Sequence, residues 1–204
     1  MSSMIRFSAA LLLVLSLAAG CASGPGYEME KEYPGISRMD GATLDMVRKE
    51  AKLGNTGHFK TIRIGAFDAS DELRTDYSSQ LDQFQSAMVY HVRENGKFDM
   101  VERIEKGIET RVAPQSLKVE GKILDMRITS PAARFWGGAL AGSSYMDVYL
   151  RITDDSNGAI VQEKVIATHN SALGAAWTGG SSDHSLPRDM GEIIGEYLIT
   201  VLAP

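Results

Sequence analysis

Two alternating runs joined by a short polar turn constrain this chain more than any other feature. Tyr145–Thr153 sets Met146, Val148, Leu150 and Ile152 on one face, and Ile160–His169 returns after Asp154-Asp-Ser-Asn-Gly158. A period of two on both sides of an Asn-Gly pair, which suits positive φ, predicts a β-hairpin. A lone hairpin with one apolar face is not stable in water, so other elements must cover that face.

The rest of the chain offers them. Lys60–Phe67 alternates, with Ile62, Ile64 and Ala66 on one side, and predicts a strand. Between Ser78 and Asn95, residues Leu81, Phe84, Met88, His91 and Val92 recur at helical spacing, and Gly96 stops the run. Phe98–Glu102 is a short strand, followed by an irregular or turn-like stretch over 105–115. Leu117–Thr129 changes phase: Leu117, Val119 and Ile123 are odd, while Leu124, Met126 and Ile128 are even. A bulge near Gly121–Leu124 reconciles the two halves. Arg188–Leu202 lines Met190, Ile193, Ile194, Tyr197, Leu198 and Val201 along one helical stripe, with Ser185 as its cap. The expected fold is α+β, an α/β sandwich: a mixed, largely antiparallel sheet of about five strands with two main helices packed on it, in the order β-α-β-β-β-β-α.

The amino terminus is an address. Met1–Arg6 carries one side-chain positive charge, then an apolar run reaches Gly20 and the single cysteine, Cys21. The fourteen residues of this run make a helix of roughly 21 Å, short of the ~30 Å of a bilayer core. The expectation is a signal peptide over 1–20 rather than a spanning helix. Leu17-Ala-Ala-Gly-Cys21 resembles the bacterial lipobox, which implies cleavage before Cys21 and acylation of its thiol. A lone thiol in an oxidising compartment would otherwise be a liability. Several acyl chains meet the requirement for stable anchoring, so the membrane is the expected partner at this end. In enteric bacteria an aspartate after that cysteine retains a lipoprotein at the inner membrane. Ala22 in its place resembles sorting to the outer membrane, with the protein facing the periplasm. Residues 21–57 are expected to be a lipidated tether with a short helix over 41–53 capped by Asp40, and residues 58–204 a single domain. Extended, residues 22–35 reach ~45 Å.

Chemistry is harder to find. Lys and Arg number 21 against 26 Asp and Glu, giving net charge −5. Nucleic-acid binding needs a cationic surface, so it is not expected. His58, His91, His169 and His184 show no metal-ligand spacing, and no second cysteine exists to help them. His91 falls on the apolar helix face and reads as a packing residue. Asp183-His184-Ser185 contains the residue types of a hydrolase triad, but sequence neighbours rarely converge on one point, so it reads as loop and cap. Glu102-Arg103 reads as an ion pair at a strand end. No phosphate-binding glycine loop is present. No catalytic residue, metal or cofactor is expected.

One paired feature remains. Phe135-Trp136-Gly-Gly-Ala-Leu-Ala-Gly-Ser-Ser144 and Leu173-Gly-Ala-Ala-Trp177-Thr-Gly-Gly-Ser-Ser182 hold both tryptophans and six of the twenty glycines. Strand order puts both at one end of the sheet. Two readings stand: ordered loops whose tryptophans cover the sheet's end, or a surface for self-association, a protein partner or the membrane interface. The second makes Phe135, Trp136, Gly137, Gly138, Trp177, Gly179 and Gly180 the candidate interaction residues.

Phe59–Arg103 resembles the opening of the family that contains the curli-secretion lipoprotein CsgG and the peptidoglycan-synthase activator LpoB. The matching features are a strand ending in Phe67-Asp68, an amphipathic helix, and Gly96-Lys-Phe98-x-x-Val101-Glu102-Arg103. Val119-Glu-Gly-Lys-Ile123 is similar to that family's central strand. Overall the chain is similar to the bacterial lipoproteins grouped as domain of unknown function 4410, through the Asp154-to-Gly158 turn and the glycine-rich stretch before the last helix. The resemblance implies a non-enzymatic envelope module, often oligomeric; it does not transfer pore formation, because CsgG's long membrane-inserting strands have no counterpart here. It leaves two function classes. One is an assembly or scaffold lipoprotein in export or surface-structure biogenesis, associating with itself or another envelope protein. The other is an outer-membrane regulator of a periplasmic cell-wall enzyme, which the short tether disfavours.

Overall fold

The computed structural model describes residues 32–54, 56–105, 115–170 and 181–203. Residues 36–204 form one compact unit. In order, its elements are β1 (Arg38–Met39), α1 (Leu44–Val47), β2 (Thr61–Gly65), α2 (Asp71–Asp76), α3 (Ser78–Glu94), β3 (Met100–Ile104), β4 (Ser116–Arg127), α4 (Pro131–Gly137), a 3-10 turn (Gly138–Ala141), β5 (Tyr145–Asp154), β6 (Ile160–His169) and α5 (Ser181–Leu202). The sheet has six strands in the order β1-β6-β5-β4-β2-β3. The long ladders, β4 with β5 and β5 with β6, are antiparallel. Those of β2 with β3, β2 with β4 and β1 with β6 are shorter and parallel.

The sheet faces water on one side only. Met146, Val148, Leu150 and Ile152 point inward and are fully buried, as the alternation requires, with Ile62, Ile64, Leu117, Val119 and Ile166 beside them. The phase change in β4 is a register shift between Ile123 and Asp125, where the expected bulge falls. The opposite face carries paired charges: Arg63 with Glu102 at 2.9 Å and with Asp155, and Arg38 with Asp147 at 3.2 Å. Glu102 therefore pairs with Arg63 on the neighbouring strand rather than with Arg103. Adjacent strand residues point to opposite faces, so the expected Glu102–Arg103 pair is corrected.

Both main helices lie on the apolar face. α3 buries Phe84, Met88 and Val92 at four-residue spacing. Its Gln85 side chain clasps the end of β2, donating to the Gly65 carbonyl at 3.0 Å and accepting from the Phe67 N–H at 3.3 Å. α5 buries the whole expected stripe from Met190 to Val201. Gly191 and Gly195 turn toward α3, and a Cβ on Gly191 would stand 2.9 Å from Ala87 Cβ and 3.0 Å from Met88 N. Only hydrogen fits there, which lets the two helices approach closely. His91 accordingly sits in the helix interface, 2.8 Å from Glu196, which also receives Arg48 at 3.0 Å. Burial alone would raise the Glu196 carboxyl. The bonds from His91 and Arg48 outweigh it and hold the carboxyl below the usual range.

Several boundaries moved. The last helix begins at Ser181 and runs through Pro187, seven residues before its expected start. β3 lies two residues later than expected, at Met100–Ile104. The expected helix over 41–53 contracts to α1, capped by Thr43 rather than Asp40, and β1 precedes it as an added edge strand. The signal segment and Cys21 lie outside the described residues. No helix among those described is long and apolar enough to cross a membrane.

Candidate interaction surface at the apex

The excursion between β4 and β5 is not the loop its glycines suggest. Ser130 caps a helix: its hydroxyl accepts from the Ala133 N–H at 3.2 Å, and Pro131 occupies the first turn, where a missing N–H costs nothing. The helix lasts two turns. Gly138 takes φ +51 and returns its N–H to the Arg134 carbonyl, a conformation a side chain would strain. The 3-10 turn then leads into Ser144 and β5, and Arg127 steadies it by donating to the Ala141 carbonyl at 3.0 Å.

This helix and turn hold the most exposed large apolar side chains among the described residues: Phe135 at 80%, Trp136 at 85% and Leu140 at 95% exposure. The Phe135 and Trp136 rings meet edge to face, with centroids 5.1 Å apart. From Ile128 to Ser144 the only charged side chain is Arg134. It does not reach solvent.

Arg134 and Asp183 are 1% and 0% exposed, and together they fix the apex. Arg134 Nε donates to Asp183 Oδ2 at 2.7 Å and Nη2 to Oδ1 at 3.0 Å, the planar fork geometry for which arginine is suited. The Ser144 hydroxyl donates to Asp183 Oδ1 at 2.6 Å, and its oxygen accepts from the Thr129 N–H at 2.9 Å. Burial would raise the Asp183 carboxyl, but the hydrogen bonds from Arg134 and Ser144 and the arginine's charge hold it below its ordinary value. One buried carboxylate thus ties the apical helix, the start of β5 and the first turn of α5 together. Asp183 accepts from Arg134 and Ser144, and the Asp183-His184-Ser185 string lies inside α5 rather than forming its loop and cap.

The candidate residues divide. Phe135, Trp136, Gly137 and Gly138 form the apex as described. Trp177, Gly179 and Gly180 lie outside the described residues. The residues flanking that segment are at the apex: the Asn170 N–H donates to the Ser144 carbonyl at 2.9 Å, and its side-chain amide donates to the Ser182 carbonyl. Sequence reasoning missed Leu140, Arg134 and Asp183. The Ser130-Pro131 pair was the available signal for the helix. Nothing local announces an ion pair across 49 residues.

A cleft of about 850 Å³ lies elsewhere, between α3 and α5, lined by residues including Tyr90, His91, His184, Arg188 and Glu192. Four of its polar side chains are engaged: His91 meets Glu196, Ser185 donates to Asp189 at 2.8 Å, and Arg188 lies 3.7 Å from Glu192. Among the described residues no group of three or more His, Cys, Asp or Glu side chains could hold a metal ion.

The family model described as a domain of unknown function, DUF4410, matches residues 40–182. No curated protein matches the sequence. Three solved structures overlap it in part. A PelC dodecamer from Paraburkholderia phytofirmans is 14% identical with a TM-score of 0.44, over 72% of this chain and 91% of that one. A DUF330 protein from Xanthomonas campestris is 12% identical with a TM-score of 0.43, over 81% and 93%. A lipoprotein from Neisseria meningitidis is 8% identical with a TM-score of 0.33, over 55% and 81%.

Proposed function

The chain belongs to the DUF4410 family, and from that premise we propose that it is a lipid-anchored, non-enzymatic cell-envelope protein, an assembly or scaffold component that works by contact through its apex. The observation that carries this reading is the exposure of Phe135, Trp136 and Leu140 on a helix held by a fully buried ion pair. Large apolar side chains cost free energy in water, and a chain needs no internal salt bridge to display residues that do nothing. The lipobox-like Leu17–Cys21 supports the anchor, and Ala22 supports the outer membrane as its destination, with the domain in the periplasm.

The test is a Phe135→Ser/Trp136→Ser variant of the lipidated chain expressed in place of the parent. Its melting temperature and its labelling by radioactive palmitate should match the parent's, because both rings are exposed and far from Cys21 in sequence. The expected result is loss of the cellular phenotype that the parent restores to a deletion strain. A variant that restores it fully would overturn the apex as the working surface. Loss of palmitate on Cys21→Ser checks the anchor separately, and labelling that persists would refute it.

A further inference from the structure

We infer that the apex is a lipid-interface wedge: Phe135, Trp136 and Leu140 enter the headgroup region of a phospholipid bilayer. This rests on the apex being the working surface and names the chemistry it meets. Three observations select lipid over a protein partner or a second copy. The first is area. Two aromatic rings bury about 150–250 Å² each, and one leucine adds less. Those three side chains alone stay below the ~800 Å² per partner of a standard protein interface. A bilayer needs no such matched surface, because fluid lipid closes around whatever enters.

The second observation is charge. Pro131, Ala132, Ala133, Phe135, Trp136 and Leu140 are all exposed and all apolar, and the one charged side chain of the excursion is consumed by Asp183. Within residues 128–144 no free charge must be stripped of water on entry, and Arg127 lies at the base of the tip, donating to the Ala141 carbonyl. Tryptophan, with an apolar ring and one N–H, is the side chain that settles most readily at the membrane interface. The rigid pose matters too: the ion pair holds the tip in its inserted shape beforehand, so little order is lost on contact.

The third is reach. β1 meets β6 at Val165, four residues before β6 ends at the apex with His169, or ~13 Å along the strand. Residues 33–35 are a bend and turn, and the ten residues 22–31, if extended, would span ~33 Å, more than that distance. A chain anchored through Cys21 has the length to bring its apex back to the same bilayer. The wedge is then a second, weaker contact made at high local concentration, which is how two modest membrane signals combine.

The experiment uses the chain from residue 21 onward with Cys21→Ser, so that no acyl chain contributes, and Trp177→Phe, so that Trp136 is the only tryptophan. Vesicles of phosphatidylethanolamine and phosphatidylglycerol are the probe, with phosphatidylcholine vesicles as a second composition. The expected result is a blue shift of Trp136 emission and quenching by lipids brominated along the acyl chain. Binding should be similar for both compositions and at high salt, since no charge is involved. Trp136→Ser/Leu140→Ser in the Cys21→Ser chain should lower vesicle flotation at least ~10-fold without changing the melting temperature. Emission that stays unshifted and unquenched, or flotation equal to the parent's, overturns the wedge. If that occurs while Phe135→Ser/Trp136→Ser still fails in cells, the lipid inference falls and the apex remains a working surface for protein. If that variant succeeds in cells, the broader reading falls with it.

Discussion

Removing Arg134 should be far more damaging than its single charge suggests. In Arg134→Met the methionine fills the tunnel left by the arginine stem, but the Asp183 carboxylate, fully buried, keeps only the Ser144 hydroxyl as a donor side chain. Breaking one side of a buried, hydrogen-bonded pair costs about 3–5 kcal/mol, because the remaining charge stays in a medium that solvates it poorly. For a domain of this size each kcal/mol moves the melting temperature by about 2–4 °C, so the expected fall is roughly 6–20 °C. The pH dependence identifies the cause. In the parent the Asp183 carboxyl is held below its unfolded value of ~3.9, so its contribution is fully present above that pH and is lost as the pH falls through the folded value. Without Arg134 burial dominates and the carboxyl moves upward, so the variant gains stability relative to the parent as the pH drops from neutral toward 4. Urea unfolding followed by far-UV circular dichroism at several pH values measures both. A double Arg134→Met/Asp183→Leu variant should recover most of the loss, since replacing both partners by apolar groups removes the orphan. A deficit under ~1 kcal/mol at neutral pH, or one that does not change with pH, would refute the reasoning.

Other perturbations follow from the packing. Leu198→Ala removes a fully buried side chain from the last turns of α5 and should cost about 2–5 kcal/mol in denaturant unfolding; a near-neutral value would mean the helix is peripheral. Gly191→Ala should destabilise by about 1–3 kcal/mol, although alanine is the better helix former, because its Cβ would press on Ala87 and on the α3 backbone. A melting temperature above the parent's would show that the helices can move apart freely. The Asp147 carboxyl is pushed up by burial, against the pull of Arg38. Its charged form therefore costs stability at neutral pH, and that cost disappears as the pH falls through the raised value. Asp147→Asn should accordingly match or exceed the parent at pH 7 and lose that advantage in acid, as thermal melts across pH would show.

Much of the architecture was legible because it rests on period. Met146 to Ile152 alternate in a hairpin that buries one face, and Met190 to Val201 repeat at the spacing of a helix that must dock on it. Those signals are local, and the core obeys them. The expected start of α5 falls seven residues late; Pro187, its seventh residue, sits inside the helix without ending it. α4 was missed for a different reason. Glycine density spoke for a loop, while Ser130-Pro131, a start signal two residues long, spoke for a helix of only seven residues. β1 has two residues and no periodic signature, and exists because β6 offers an edge. At the apex, sequence could place Phe135 and Trp136 at one end of the sheet, but their exposure depends on Asp183 reaching Arg134 from a distant element. Long-range partners of this kind leave no trace in spacing.

The order of elements along the chain also sets when the core can close. α5 is the last element, and Leu198, Val201 and Leu202 in its final turns are buried against strands made much earlier. A chain threaded through a pore amino end first presents its strands with half of their apolar cover still inside the channel. Stable collapse must wait for the final turns to emerge. The same arrangement makes the tail a checkpoint for quality: a product truncated before Tyr197 would leave the inner face of β5 open, an easy target for proteases.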